Sequence, residues 1–200
     1  MLGEIVDNTL RNIPNLNENG VKISRAIHDT VLRGGKGARN AVDILHGVWL
    51  GHPLHPMLTD VAIGAWTFSA YFDLLSLARR SRKSQHAADS LLGLGNLAAL
   101  PTAAAGLADF STIPQGAAGA GLLHAILNDV ALTLFLTSQF ARSRDKRLLA
   151  VTLSFLALTV MFAAAYLGGH LTFKHNVGVN HAKHARDLSL IHISEPTRPY

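Results

Sequence analysis

Along most of this chain the hydrophobic positions do not alternate with polar ones but run together. Four apolar stretches stand out, at residues 57–78, 87–108, 117–141 and 148–169. Each is about 20 residues long, which at 1.5 Å rise per residue matches a bilayer core of roughly 30 Å. Buried helices of soluble bundles are usually shorter and show a polar face every three or four residues. Residues 148–169 contain no charged side chain. The pattern predicts an all-α fold, an integral-membrane four-helix bundle whose partner is the lipid bilayer.

The first 45 residues read differently. Ile5, Leu10 and Ile13, then Ile23, Ile27, Val31 and Leu32, recur among polar residues at helical spacing. They predict a short amphipathic helical region at 1–45, soluble or interfacial, ahead of a transmembrane domain at 46–181. GGKG (34–37) reads as a turn, because no Ser or Thr follows Lys36 and no strand precedes it, as a phosphate-binding loop would need. No secretory leader is legible, so insertion is expected to rely on the first span.

Charge adds an orientation. RRSRK (79–83) and RSRDKR (142–147) fill the first and third inter-span loops, whereas the second, at 109–116, has no Lys or Arg. Basic loops mark the cytoplasmic side, so loops one and three are expected inside and both termini outside. The net charge of +5 then reflects topology and does not point to nucleic acid. The chain has no cysteine, which excludes disulfides and Cys-ligated metals or clusters within it.

Polar residues at membrane depth are expensive and default to functional candidates. Helix alternation carries His52 and His55 before span one, His124 early in span three, His170 after span four, and the carboxylates Asp60 and Asp109 to one end of the bundle. Asn128, four residues after His124, shares its helix face and can orient the imidazole, and Asp60 is expected to do so for His55. Pro53 and Pro56 are expected to hold His52 and His55 out of the α region. His175 lies one or two turns further on, His181 and His184 follow in a tail, and His46 and His86 are assigned no role. Asp73 is expected to pair with Arg79 and Arg80, Trp49 to anchor at the interface and Trp66 to pack between helices.

Histidine clusters in helical bundles hold haem through two axial imidazoles, or a Zn, Cu or Fe ion through three or more ligands. Gly93, Gly95, Ala99, Ala103 and Gly106 in span two allow close helix approach, or leave room for a flat cofactor. Pro101 predicts a kink there. Ser69, Ser76 and Ser90 stand in no recognisable nucleophile context, which disfavours hydrolysis.

HGVWLGHPLHPMLTDVAIGAW (46–66), GLLHAILND (121–129) and YLGGHLTFKHNVGVN (166–180) resemble a bacterial family of four-helix membrane proteins, domain of unknown function 2231, across roughly residues 40–181. The resemblance carries the family pattern onto His52, His55, Asp60, Gly64, His124, Asn128, Gly168 and Gly169. It implies the bacterial cytoplasmic membrane. In many relatives a Rieske-type [2Fe–2S] domain follows, which implies electron transfer. This chain has no Rieske Cys/His motif. LSLIHISEPTR (188–198) resembles translated sequencing-adapter read-through, so residues 182–200 are read as a tail of which 188–200 are non-native, and His192 is set aside.

Three functional expectations follow. The first is a membrane redox subunit binding haem b through His52, His55, His124 and His170, supported by Asp60, Gly64, Asn128, Gly168 and Gly169, with a Rieske-type partner. The second is a non-haem Zn, Cu or Fe site of the same four histidines. The third is a structural membrane anchor for a soluble redox domain.

Overall fold

A computed structural model describes residues 2–179. His181, His184 and the adapter-like segment lie outside the described residues. The described residues fold into seven α-helices with no strand: α1 (Leu2–Arg11), α2 (Leu16–Arg33), α3 (Gly35–Leu45), α4 (Leu54–Arg79), α5 (Arg82–Phe110), α6 (Ala118–Ser143) and α7 (Arg147–His175). The last four are long and apolar enough to cross a membrane. Gly35, at φ 65°, makes the expected break between α2 and α3. α5 runs unbroken through Pro101.

Many of the bundle's large apolar side chains face outward. Phe68, Leu97, Leu100, Phe140 and Phe162 are exposed, while Ala62, Ala88, Ala105, Ala131, Ala157 and Ala164 line the interior. This is the arrangement lipid favours: hydrocarbon surrounds bulky side chains as well as a core does, and small residues let helix backbones approach. Gly95 shows the closeness, since a Cβ there would lie 2.4 Å from the Trp66 ring. Trp66 in turn stacks on Phe135, with ring centroids 4.2 Å apart, and donates its indole N–H to Asn96. The small residues of α5 that face inward therefore serve packing.

Each spanning helix packs most extensively on its hairpin partner, α4 on α5 and α6 on α7. The two hairpins are copies of one pattern. One constant interval separates His55, Asp60, Val61, Ala62, Trp66 and Ser69 from His124, Asp129, Val130, Ala131, Phe135 and Ser138. The contacts repeat as well. Ser69 donates to the carbonyl of Ala88 at 2.7 Å, and Ser138 to that of Ala150 at 2.8 Å. α4 and α6 run the same way, so the repeats are related by an axis along the bundle, passing through the Trp66–Phe135 stack.

At the end where α4 finishes, this symmetry is broken by charge. Asp73 and Arg142 occupy equivalent positions, one acidic and one basic. Asp73 is completely buried and accepts from Arg142 at 2.5 and 3.1 Å and from Arg147 at 2.5 Å. Asp89 binds the same two guanidinium groups. The expected pairing of Asp73 with Arg79 and Arg80 is thus corrected. The side chain faces the bundle axis, where the second hairpin supplies the cations, while Arg79 and Arg80 remain exposed.

The opposite end is covered by the N-terminal helices. Gly20 of α2 sits so close to α6 that a Cβ would lie 2.3 Å from the carbonyl oxygen of Ala118, and Asn17 accepts from the Gly119 N–H at 2.9 Å. Phe110, Ile113, Ala117, Ala118, Ala120 and Leu171 form a small core there, against which Leu10, Val21 and Ile27 pack. Residues 2–45 are therefore docked onto the bundle.

Candidate functional site

All the histidines singled out on the spans do reach this covered end, because alternate helices deliver their N- and C-termini to it. The structure distributes them over distinct environments.

His55 and His124 meet across the pseudo-twofold axis, ring centroids 6.3 Å apart and planes at 81°. Their surroundings are matched. His55 Nδ1 lies 2.8 Å from the carbonyl of Thr102, and His124 Nδ1 lies 2.8 Å from that of Ala164. A carbonyl oxygen only accepts, so each Nδ1 carries the proton and each Nε2 keeps its lone pair. Gly106 and Gly168 make the room: a Cβ would lie 2.8 Å from His55 Cε1 in one hairpin and 3.0 Å from His124 Cε1 in the other. Thr59 donates to the carbonyl of His55, and Asn128 donates to that of His124, each at 2.8 Å. The Asn128 amide also stands 3.1 Å from His124 Nε2. No hydrogen bond occupies Nε2 of His55 among the described residues.

His55 belongs to the first turn of α4, which corrects the expectation of a non-helical residue. Pro56 follows it within that turn, where a missing N–H leaves no bond unmade. Pro53 is the residue that ends the extended entry, at ψ 125°. Asp60 is exposed and does not orient His55, because a fifth-residue spacing turns it outward. Gly64 has nothing within 4 Å of where a Cβ would stand, and Gly169 only the edge of Phe173 at 4.0 Å. His52 is exposed.

His170 has gone elsewhere. Its Nε2 lies 2.7 Å from Asp7 Oδ1, with a side chain only 5% exposed, while Lys174 donates to Asp7 Oδ2 and His175 approaches Oδ1 at 3.7 Å. The hydrogen bonds from Lys174 and His170 hold the Asp7 carboxyl well below the usual range, at about 2. A four-histidine cluster is not formed. Among the described residues, only Asp7, His170 and His175 bring three metal-type ligand atoms within 4.8 Å of one another.

His46 and Asp109 make the third environment. His46 is buried at the end of α3, its Nε2 3.7 Å from Asp109 Oδ1 at the end of α5. Burial lowers its pKa, against the carbonyl of Ala108 and the charge of Asp43, which favour the protonated form.

Two residues were missed in the sequence, Asp7 and His46, since nothing in an amphipathic pattern tells which helix docks where. Two further signals were readable. The repeated His-x4-Asp-Val-Ala at 55–62 and 124–131 singles out His55 and His124 as the equivalent pair. Gly106 and Gly168 hold equivalent places on the returning helices.

A family model described as "Predicted membrane protein (DUF2231)" matches residues 51–181. No curated protein and no solved structure gives a match.

Proposed function

The chain belongs to the DUF2231 family of predicted membrane proteins, and on that premise we propose that it is a redox subunit in which His55 and His124 hold one b-type haem. The observation that carries the reading is their pairing at 6.3 Å with both Nδ1 atoms tied to backbone carbonyls. Two imidazoles opposed across one iron, each about 2 Å from it, have ring centroids roughly 6 Å apart. A bare ion needs three or more ligands, and among the described residues no other His, Asp or Glu joins this pair.

His55 and His124 would hold the group through their Nε2 atoms. The carbonyls of Thr102 and Ala164 fix each tautomer and raise the basicity of each Nε2, the usual support for a metal-bound imidazole. Asn128 has to release Nε2 of His124. Gly106 and Gly168 seat the imidazoles themselves, so the interface between hairpins, thinner than the interface within each, would have to open to admit a macrocycle. Held by two imidazoles, a haem supplies one-electron transfer. His52 and His170 stand outside this ligand set.

Loop charge supports an outer-face position for the histidine end in the bacterial cytoplasmic membrane, where a Rieske-type partner is the proposed electron acceptor or donor. The test is the absorption spectrum of detergent-purified protein from haem-sufficient cells, oxidised and dithionite-reduced, with iron analysis. A low-spin haem spectrum at one haem per chain is expected. Its absence from folded protein overturns the reading.

A further inference from the structure

We propose that Asp7, His170 and His175 form a separate binding site for a divalent transition-metal ion of the zinc class, joining α1 to the end of α7. Asp7 Oδ1 lies 2.7 Å from His170 Nε2 and 3.7 Å from His175 Nε2. Zinc bonds of about 2.0–2.2 Å in a tetrahedron put neighbouring ligand atoms roughly 3.3 Å apart. Both distances therefore reach that value by shifts under about 1 Å, within side-chain rotation. The two imidazoles sit with centroids 5.2 Å apart, and one ligand atom from each of Asp7, His170 and His175 lies within 4.8 Å of the other two.

Chemistry argues the same way. Two histidines and one carboxylate are a donor set that takes first-row divalent ions and leaves positions open for water. His170 is 5% exposed and Asp7 16%, while His175 is 23% exposed and marks the side that faces solvent. Lys174 holds the second oxygen of Asp7, aiming the first at the histidines. An electrostatic clasp on Asp7 needs only Lys174 and His170. His175 is surplus to a clasp and is the third ligand of a metal site.

The test uses the full chain, purified in detergent with a histidine-free tag and stripped with chelator. Zn2+ is titrated by calorimetry, and Co2+ is followed by its visible absorption. One ion per chain is expected, with a Zn2+-dependent rise in Tm. His175→Gln, which alters the most exposed ligand, should weaken Zn2+ binding at least about tenfold and remove the Tm rise, with helical content unchanged. Asp7→Asn should do the same. Binding should persist in His55→Ala/His124→Ala, which separates this site from the proposed haem, and in His181→Gln/His184→Gln. Failure to bind Zn2+, full-strength binding by His175→Gln, or loss of binding in either double variant overturns the proposal.

Discussion

The two ends of this bundle spend their polar groups in opposite ways. At the arginine end, the acids Asp73 and Asp89 belong to the first hairpin and the bases Arg142 and Arg147 to the second, so their bonds all cross between hairpins. At the histidine end, His55 and His124 each bond to their own hairpin partner, and only their rings meet across the axis. Equivalent positions thus lock the hairpins at one end and leave a pair of ligand-type nitrogens between them at the other. The two hairpins repeat one pattern, and charge asymmetry at one end ties them together where the other end carries only the facing imidazoles.

The largest effect is expected from breaking the lock. Arg142→Ala leaves the buried Asp73 to Arg147 alone, an expected loss of up to about 3–5 kcal/mol, that of a broken buried pair. Denaturant unfolding in micelles measures it. The reversal Asp73→Arg/Arg142→Asp, which exchanges equivalent positions, should recover part of the loss. If Arg142→Ala unfolds like the parent, the ends do not differ as described.

A smaller effect should follow from filling the seats of the histidines. Gly106→Ala and Gly168→Ala each bring a methyl group within about 3 Å of an imidazole carbon, and overpacking of this kind costs about 1–3 kcal/mol. Cofactor binding should suffer more than stability, because the ring turns off its carbonyl before the helices part. Haem occupancy unchanged from the parent in both variants would contradict the role given to the glycines.

Smaller still is a pH effect at the cover. Burial lowers the pKa of His46, so the unfolded chain takes up a proton near pH 6.5 before the folded one does. The contribution of His46 to the attachment of α3 is then at full strength above about pH 6.5 and is lost as pH falls below it. Hydrogen exchange of residues 35–47 between pH 7.5 and 5.5 reads this directly, and His46→Gln should flatten the dependence. A pH dependence identical in the parent and in His46→Gln would contradict this contribution.

Much of the fold was legible because membranes impose long apolar runs, and helix alternation alone put His55, His124 and His170 at one end. What alternation does not give is azimuth. Whether His170 faces His124 or the covering helices depends on how α1 docks, and nothing in residues 1–45 names its partner. Asp73 shows the same gap: Arg79 and Arg80 are its neighbours in sequence, yet its rotation on α4 points it at Arg142. The internal repeat would have closed part of that gap, since equivalent residues on a symmetric bundle must face the axis together.

The most direct test of a binding end opposite a locking end is the reduced-minus-oxidised haem difference spectrum across one set of variants. His55→Ala and His124→Ala should each abolish the low-spin signal, with stability changed far less than by Arg142→Ala. His52→Ala and His170→Ala should retain it at one haem per chain. A haem signal that survives the loss of both His55 and His124, or none in the folded parent protein, would contradict the account.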